Sequence, residues 1–243
     1  MEIFPDIHQV DGVTSNCYVV KTGDRLTLID PGLPRNSKKI VAYLKDALDR
    51  PPSDIGTIIL THYYMDHTGS AQELKTISGA AVAIHEADAR YVMGRQLRPA
   101  PEGILVFQST IGAFYKPRPV HPDILLHDGE TVAGLTCIHT PGHTAGSICL
   151  YDPRSKVLFA GDTIRHNGHR LEGPPRPFTL DMEAARKSVA KISRLDFAAL
   201  LPGHGVPLTR NAREDLLEFA QIFAVREDCA CCRVRVCICT KKK

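Results

Sequence analysis

The chain has no tryptophan, only 6% aromatic residues, and no apolar run near the ~18 residues that a membrane-spanning helix requires. No membrane partner is therefore expected. The N-terminus, MEIFPDIHQVDG, lacks a basic start leading into an apolar stretch, so it does not read as a secretory leader and the cytoplasm is the expected location. An excess of one charge is also missing from most of the chain. The net +3 comes from the end, where residues 229–243, CACCRVRVCICTKKK, hold five Lys/Arg and no acid; the rest carries 25 basic and 27 acidic residues. Without a clustered basic footprint, nucleic acid is not an expected partner.

A disulfide framework is missing as well. Of eight cysteines, Cys17, Cys137 and Cys149 lie in apolar, strand-like runs, where cysteine behaves as a small buried hydrophobe. The other five crowd into 229–239 as C-x-C-C-x4-C-x-C, which lacks the paired C-x2-C knuckles of a structural zinc site. The alternation RVRVCICT fits a short strand with Val234, Val236 and Ile238 on one face. The abrupt change of composition also fits a non-native terminus, and the segment 226–243 is set apart from the body on these grounds.

What is present is a core. Hydrophobic residues make up 43% and charged residues 23% of 243, in keeping with one large globular unit over 1–225. IHQV and SNCYVVKTGDRLTLID read as strands, with TGDR a hairpin turn. RNSKKIVAYLKDALDR places Ile40, Leu44, Ala47 and Leu48 at helical spacing, TIILTH is a buried strand, and a helix is expected from Thr68 to a stop at Gly79. AAVAIH is a strand and EADARYV a helix. Residues 94–123, rich in Pro and Gly, form a long connection that reads as a lid over a pocket, with a short helix around Leu105 to Phe114; Phe114 and Tyr115 are expected to pack there. Strands resume in ILLHDGETVAG, LTCIHTPGH and SICLYDPRSKVLFAGD. DMEAARKSVAKISRL is a helix, FAALLPGHG a strand and loop, and TRNAREDLLEFAQIF a closing helix with Thr209 as its expected N-cap. Two similar batches of strands and helices predict an α+β fold: an αββα sandwich of two mixed β-sheets flanked by helices.

Metal-binding side chains follow strand-like runs at four separated places. His62, Asp66 and His67 come after TIIL, His143 after LTCIHTPG, Asp162 after KVLFAG and His204 after AALLPG. Strand ends can bring such residues to one edge of a sandwich. Imidazole with carboxylate suits zinc, iron or manganese, and a carboxylate can bridge two ions. His8, His85, His121 and His127 read as surface or strand histidines, and His139 as structural. Arg165, Arg170 and Arg176 are candidates for an anionic group, although solvated arginine is the commoner case.

The motifs HYYMDH at 62–67, TPGHTAGS around His143, GDT at Asp162 and PGHG at His204 together resemble the metallo-β-lactamase-fold hydrolases, in the group with glyoxalase II-like thioesterases and lactonases. The likeness extends over about residues 1–225. It implies the αββα sandwich, one or two zinc ions with iron or manganese as alternatives, and a small-molecule ester, thioester or lactone cleaved by a metal-activated water. His62, Tyr64 and His143 correspond to the first metal position, Asp66, His67 and His204 to the second, and Asp162 to the bridging carboxylate. Asp30, in LIDPG, corresponds to an aspartate that braces the metal loop. The bridging Asp162 argues against a true β-lactamase.

Tyr64 departs from the pattern H-x-H-x-D-H, and the flanking matches leave no register in which Tyr63 replaces it. Three arrangements follow. The second position alone can hold an ion. Alternatively Tyr64 binds as phenolate, or His166 or His169 substitutes. In the third, metal is largely lost and the chain is a binding or regulatory module; an iron-dependent redox enzyme is a further alternative. If metal is bound, Asp66 and Asp162 are expected to orient the water and take its proton, and an unligated Tyr64 to donate to a developing oxyanion.

Overall fold

The computed structural model describes residues 1–96, 99 and 118–225. The expected helix over 105–114, most of the 94–123 lid segment and the 226–243 tail with its Val234, Val236 and Ile238 strand lie outside the described residues.

Seven strands make one sheet, in chain order: β1 (Glu2–Phe4), β2 (Ile7–Val10), β3 (Cys17–Thr22), β4 (Arg25–Ile29), β5 (Ile55–Leu60), β6 (Ala81–His85) and β7 (Ile124–Leu126). Pairing is antiparallel from β1 to β4 and parallel from β4 to β7, with Leu28 opposite Ile58 and Ile58 opposite Val82. The second sheet comprises β8 (Thr131–Val132), β9 (Leu135–His139), β10 (Ile148–Asp152), β11 (Val157–Gly161) and β14 (Ala199–Pro202), in the order β14-β11-β10-β9-β8. Only β11 and β14 pair in parallel there. A small hairpin, β12 (Arg165–His166) with β13 (Leu171–Glu172), was not signalled by the sequence pattern.

Period-two patterning explains why the sheets stack. In β3, Cys17 and Val19 face an outer apolar layer while Tyr18 and Val20 face the layer between the sheets. In β11, Val157 and Phe159 face the same inner layer, and Leu158 and Ala160 face out. Both faces of these central strands are thus covered, which is why their sequences are nearly continuous apolar runs. Helices α1 (Ser37–Leu48), α3 (Ala71–Ser78) and α4 (Glu86–Val92) carry apolar faces that cover the first sheet, through Ile40, Leu44, Leu74 and Ala89. Helices α5 (Met182–Ile192) and α6 (Ala212–Val225) cover the second through Val189, Ile192 and Leu216. Each such fully buried leucine or isoleucine is worth about 1.5–3 kcal/mol. The expected αββα sandwich of two mixed sheets is the observed fold. Cys17, Cys137 and Cys149 are buried free thiols, as their context implied. Among the described residues no helix is long and apolar enough to cross a membrane.

Two local expectations are corrected. The helix expected from Thr68 to Gly79 is split into α2 (Met65–Thr68) and α3, because Gly69 packs against Leu33 and Pro34 with no space for a side chain. Ser70 completes the break, its Oγ donating to Leu33 O at 2.6 Å and accepting from Ser37 N at 3.0 Å. The end at Gly79 is as expected, with φ +73 in the left-handed C-cap conformation that glycine tolerates best. Thr209 is not the N-cap of the last helix; α6 starts three residues later at Ala212, after Asn211 turns the chain with a positive φ of 51°.

Candidate metal centre

Parallel pairing puts the C-terminal ends of β4, β5 and β6 on one edge of the first sheet, and that of β11 beside β14 in the second. From these ends the chain delivers Asp30, His62, Asp162 and His204, and the loop after β9 delivers His143. Two groups of metal-capable side chains result, each with its donor atoms within 4.8 Å of one another: His62, His143 and Asp162, all buried, and Asp66, His67 and His204.

Asp162 lies between the groups. Its Oδ1 is 3.3 Å from His67 Nε2, and its Oδ2 is 3.5 Å from His143 Nε2 and 3.6 Å from His204 Nε2. Asp66 Oδ2 lies 3.1 Å from His204 Nε2 and 3.6 Å from His67 Nε2, while the two histidine Nε2 atoms are 3.1 Å apart. A neutral imidazole has one donor and one acceptor nitrogen, so each tautomer follows from its outer partner. Asp30 accepts from His67 Nδ1 at 2.8 Å and, being a carboxylate, can only accept; the His67 proton is therefore on Nδ1. The Thr61 hydroxyl donates to Asp30 Oδ2 at 2.7 Å, so it must accept from His62 Nδ1 at 3.0 Å. The Thr179 hydroxyl donates to Pro175 O at 2.9 Å, so it accepts from His143 Nδ1 at 3.4 Å.

His62 and His143 thus turn an Nε2 lone pair toward Asp162, and His67 turns toward Asp162 and Asp66 an Nε2 whose proton an ion would displace. His62 Nε2, His143 Nε2 and Asp162 Oδ1 are buried and have no hydrogen-bond partner. Orphaned buried acceptors are costly, and three of them converging beside a second carboxylate fit a cation. Electrostatics agree. Burial, reinforced by His67 and His143, holds His62 well below the usual imidazole range, and burial takes His143 down to about 4. Both are therefore neutral and able to ligate at pH 7. Burial also works against charge on His67, but Asp162, Asp30 and Asp66 outweigh it and hold that imidazole well above its usual range. Asp162 stays well below the carboxylate range despite burial, because of His67 and His204.

Tyr64 stands beside this cluster, its ring edge-on to His62 at 5.1 Å and to His143 at 4.7 Å between centroids. Its hydroxyl donates to Phe178 O at 2.7 Å, so the proton expected to serve an oxyanion is committed to a backbone carbonyl. Burial raises its pKa, which opposes ligation as phenolate. His166 gives its Nδ1 proton to Val206 O at 2.8 Å, and His169 is exposed; among the described residues neither joins a metal-capable group. His139 bonds Ala145 O at 2.9 Å and stacks on His85, while His127 pairs with Glu86 at 3.1 Å and Glu130 at 3.2 Å; His8 lies in β2 and His121 is exposed. Arg170 is paired with Glu172 at 3.3 Å.

Sequence reasoning missed Asp88. Fully buried in α4, it accepts from Tyr63 N at 3.1 Å, Thr144 Oγ1 at 2.7 Å and Gly146 N at 2.7 Å, and so ties the metal loop to the His143 loop. Burial raises its pKa to about 6. The available signal was an acid one helical turn before Val92, on the face that an amphipathic helix buries.

A sandwich of this build, with His/Asp groups on loops at one edge, defines a class of metal-dependent hydrolases. The chain belongs to the metallo-beta-lactamase superfamily, whose family model matches residues 10–204. It is similar to YflN of Bacillus subtilis (strain 168), a probable metallo-hydrolase, with 32% identity over 241 residues, covering 88% of this chain and 89% of the relative. It is also 29% identical over 214 residues to the acyl-coenzyme A thioesterase MBLAC2 of Gallus gallus, covering 79% of this chain and 73% of that protein. Among solved structures, the metallo-beta-lactamase family protein TTHA1429 from Thermus thermophilus superposes with a TM-score of 0.71 at 22% identity, over 91% of this chain and 80% of the other. TTHA1623, solved in a di-iron-bound form, gives 0.65 at 26% identity, over 84% and 93%.

Proposed function

We propose that the chain hydrolyses a small ester, thioester or lactone, with His62, His143 and Asp162 holding one ion and Asp66, His67 and His204 the other. The observation that carries this reading is the set of Nε2 atoms converging around Asp162, each ring fixed by a partner on its far side. Ions held there would supply a water acidified toward a pKa of ~7 and polarise the scissile carbonyl. The chain's own groups do the rest. Asp162, its oxygens turned to both groups, orients the water, and Asp66, the most open of the carboxylates at 34% side-chain exposure, takes its proton and passes it to the leaving oxygen or sulfur. The 29% likeness to a thioesterase supports an activated acyl substrate. Zinc is the first candidate. Iron is the second, favoured by the His62, His143, Asp162 set, since two imidazoles with one carboxylate suit iron equally.

Elemental analysis of the purified protein, paired with assays on thioester, lactone and aryl ester substrates, tests the reading. The expected result is close to two ions per chain and hydrolysis abolished by chelation and restored by metal. Protein without metal and without hydrolysis sinks it in favour of a binding module.

A further inference from the structure

Tyr64 stands beside the first metal position, where His62, His143 and Asp162 offer three inward donors. Its polar end is engaged elsewhere. Its hydroxyl reaches Phe178 O at 2.7 Å, in the segment that follows Pro175. That segment is the one that sets His143. Thr179 Oγ1 receives the His143 Nδ1 proton at 3.4 Å and is itself anchored on Pro175 O at 2.9 Å. Leu180 N donates to His143 O at 3.3 Å, and Asp181 N donates to Gly142 O at 2.9 Å. Gly142, at φ +143, lies so close to Ala185 that no side chain fits between them. His143 is therefore oriented from outside by residues 175–181, and the Tyr64 hydroxyl ties that segment to the metal loop.

We infer that Tyr64 is a positioning residue for the first metal position, holding residues 175–181 against His143 so that His62, His143 and Asp162 retain an ion without a third imidazole. The side chain acts as an outer support and not as a ligand. The inference rests on the proposed metal site but not on any substrate. The ring's edge-on packing against both His62 and His143 adds a second restraint that a smaller side chain would lack.

The test uses the full chain and titrates zinc and cobalt(II) into metal-free protein against a competing chelator, with the cobalt spectrum reporting ligand geometry. Tyr64→Phe keeps the ring and loses only the hydroxyl. Its expected effect is a 10–100-fold weaker affinity for one of two ions, with the other unchanged, as is usual when an outer partner of a ligand is lost. The cobalt bands of the weakened position should shift, and amide exchange at Leu180 and Asp181 should quicken. Thr179→Val removes the acceptor of His143 Nδ1 directly, and the double variant should lose little more than the worse single variant, because both act through one segment. Unchanged affinities and exchange in Tyr64→Phe overturn the inference, as do fully additive losses. Wild-type protein that binds one ion only, through Asp66, His67 and His204, also overturns it while leaving the hydrolase reading intact. Wild-type protein that binds none removes both.

Discussion

Replacing Asp30 by Asn changes one atom and should reverse two ligands. Asp30 Oδ1 accepts from Thr61 N at 2.8 Å, and Oδ2 accepts from Thr61 Oγ1 at 2.7 Å and His67 Nδ1 at 2.8 Å. An asparagine that keeps its oxygen on Thr61 N puts its NH₂ where Oδ2 was. His67 Nδ1 must then accept, so the ring keeps its proton on Nε2, the atom facing the metal, where in wild type an ion can displace that proton and leave the one on Nδ1. Thr61 Oγ1 must accept as well, so its own proton turns to His62 Nδ1, and that ring too is left with its proton on Nε2. The backbone is not a complication, because Asp30 has φ +52 and asparagine tolerates that left-handed region at least as well. Recovering each ligand costs about one hydrogen bond to a charged group, roughly 1.5–3 kcal/mol. That is on the order of 10–100-fold in affinity for each of the two positions, since His62 belongs to one and His67 to the other. Isothermal titration of zinc into chelator-treated protein, with a competing chelator to reach tight affinities, reads both steps. Circular dichroism and thermal melting of the metal-free protein confirm that the variant is folded. Folded Asp30→Asn that binds both ions within about twofold of wild type would refute the tautomer argument.

The raised His67 pKa fixes the sign of two further outcomes. A group whose folded pKa lies above its unfolded value of about 6.5 adds stability that is complete below 6.5 and is lost as pH rises through the folded value. Metal-free protein should therefore melt at a lower temperature at pH 9 than at pH 6.5, with Asp162 and Asp66 remaining ionised throughout. At pH 7 an ion entering between Asp66, His67 and His204 must displace the His67 Nε2 proton, so about one proton should leave per ion bound there. Calorimetry in buffers of different ionisation enthalpy measures it, and zero release is incompatible with the arrangement. Gly203→Ala perturbs the bridging carboxylate without touching a ligand, because a Cβ at Gly203 would overlap Asp162 Oδ1 and the backbone of Gly161. Overpacking of this kind costs about 1–3 kcal/mol. Both ions should bind more weakly, since Asp162 faces both groups; loss confined to stability, with metal affinity intact, would show that Asp162 can move freely.

How much of this could be read in advance divides along a physical line. Elements with a strong period were legible. The strands with apolar residues on both faces, such as VLFAG at β11, and the helix with Ile40 and Leu44 one turn apart carry their burial in the order of their residues. The cluster of His62, Asp66, His67, His143, Asp162 and His204 was legible because each member follows a strand end. What was not legible depends on contacts across space. Thr61 and Thr179 look like ordinary strand and loop residues, and their roles as acceptors for imidazole protons arise only from where their own hydroxyl protons go. Asp88 joins the loop 25 residues upstream at Tyr63 to the loop 56 and 58 residues downstream at Thr144 and Gly146, which no local window contains. The break between α2 and α3 likewise comes from Leu33 and Pro34, packed from another part of the chain.

These contacts also explain how the donors are aimed at one another with Tyr64 beside them and its hydroxyl turned to Phe178 O. A histidine ligand requires a lone pair in the right place, and that lone pair is assigned by whatever holds the opposite nitrogen. For His62 and His67 the assignment runs through Asp30, and for His143 through Thr179. Of these partners only Thr179 depends on position 64, through the bond from the Tyr64 hydroxyl to Phe178 O in its own segment. With Tyr64 at its side, the first group presents the orphaned Nε2 atoms of His62 and His143 to Asp162. With asparagine in place of Asp30, every ligand would remain in the sequence, yet the neutral His62 and His67 rings would carry their protons on Nε2. Asp30, thirty-four positions before the tyrosine, therefore bears on one imidazole in each position, whereas Tyr64 bears on the first position only.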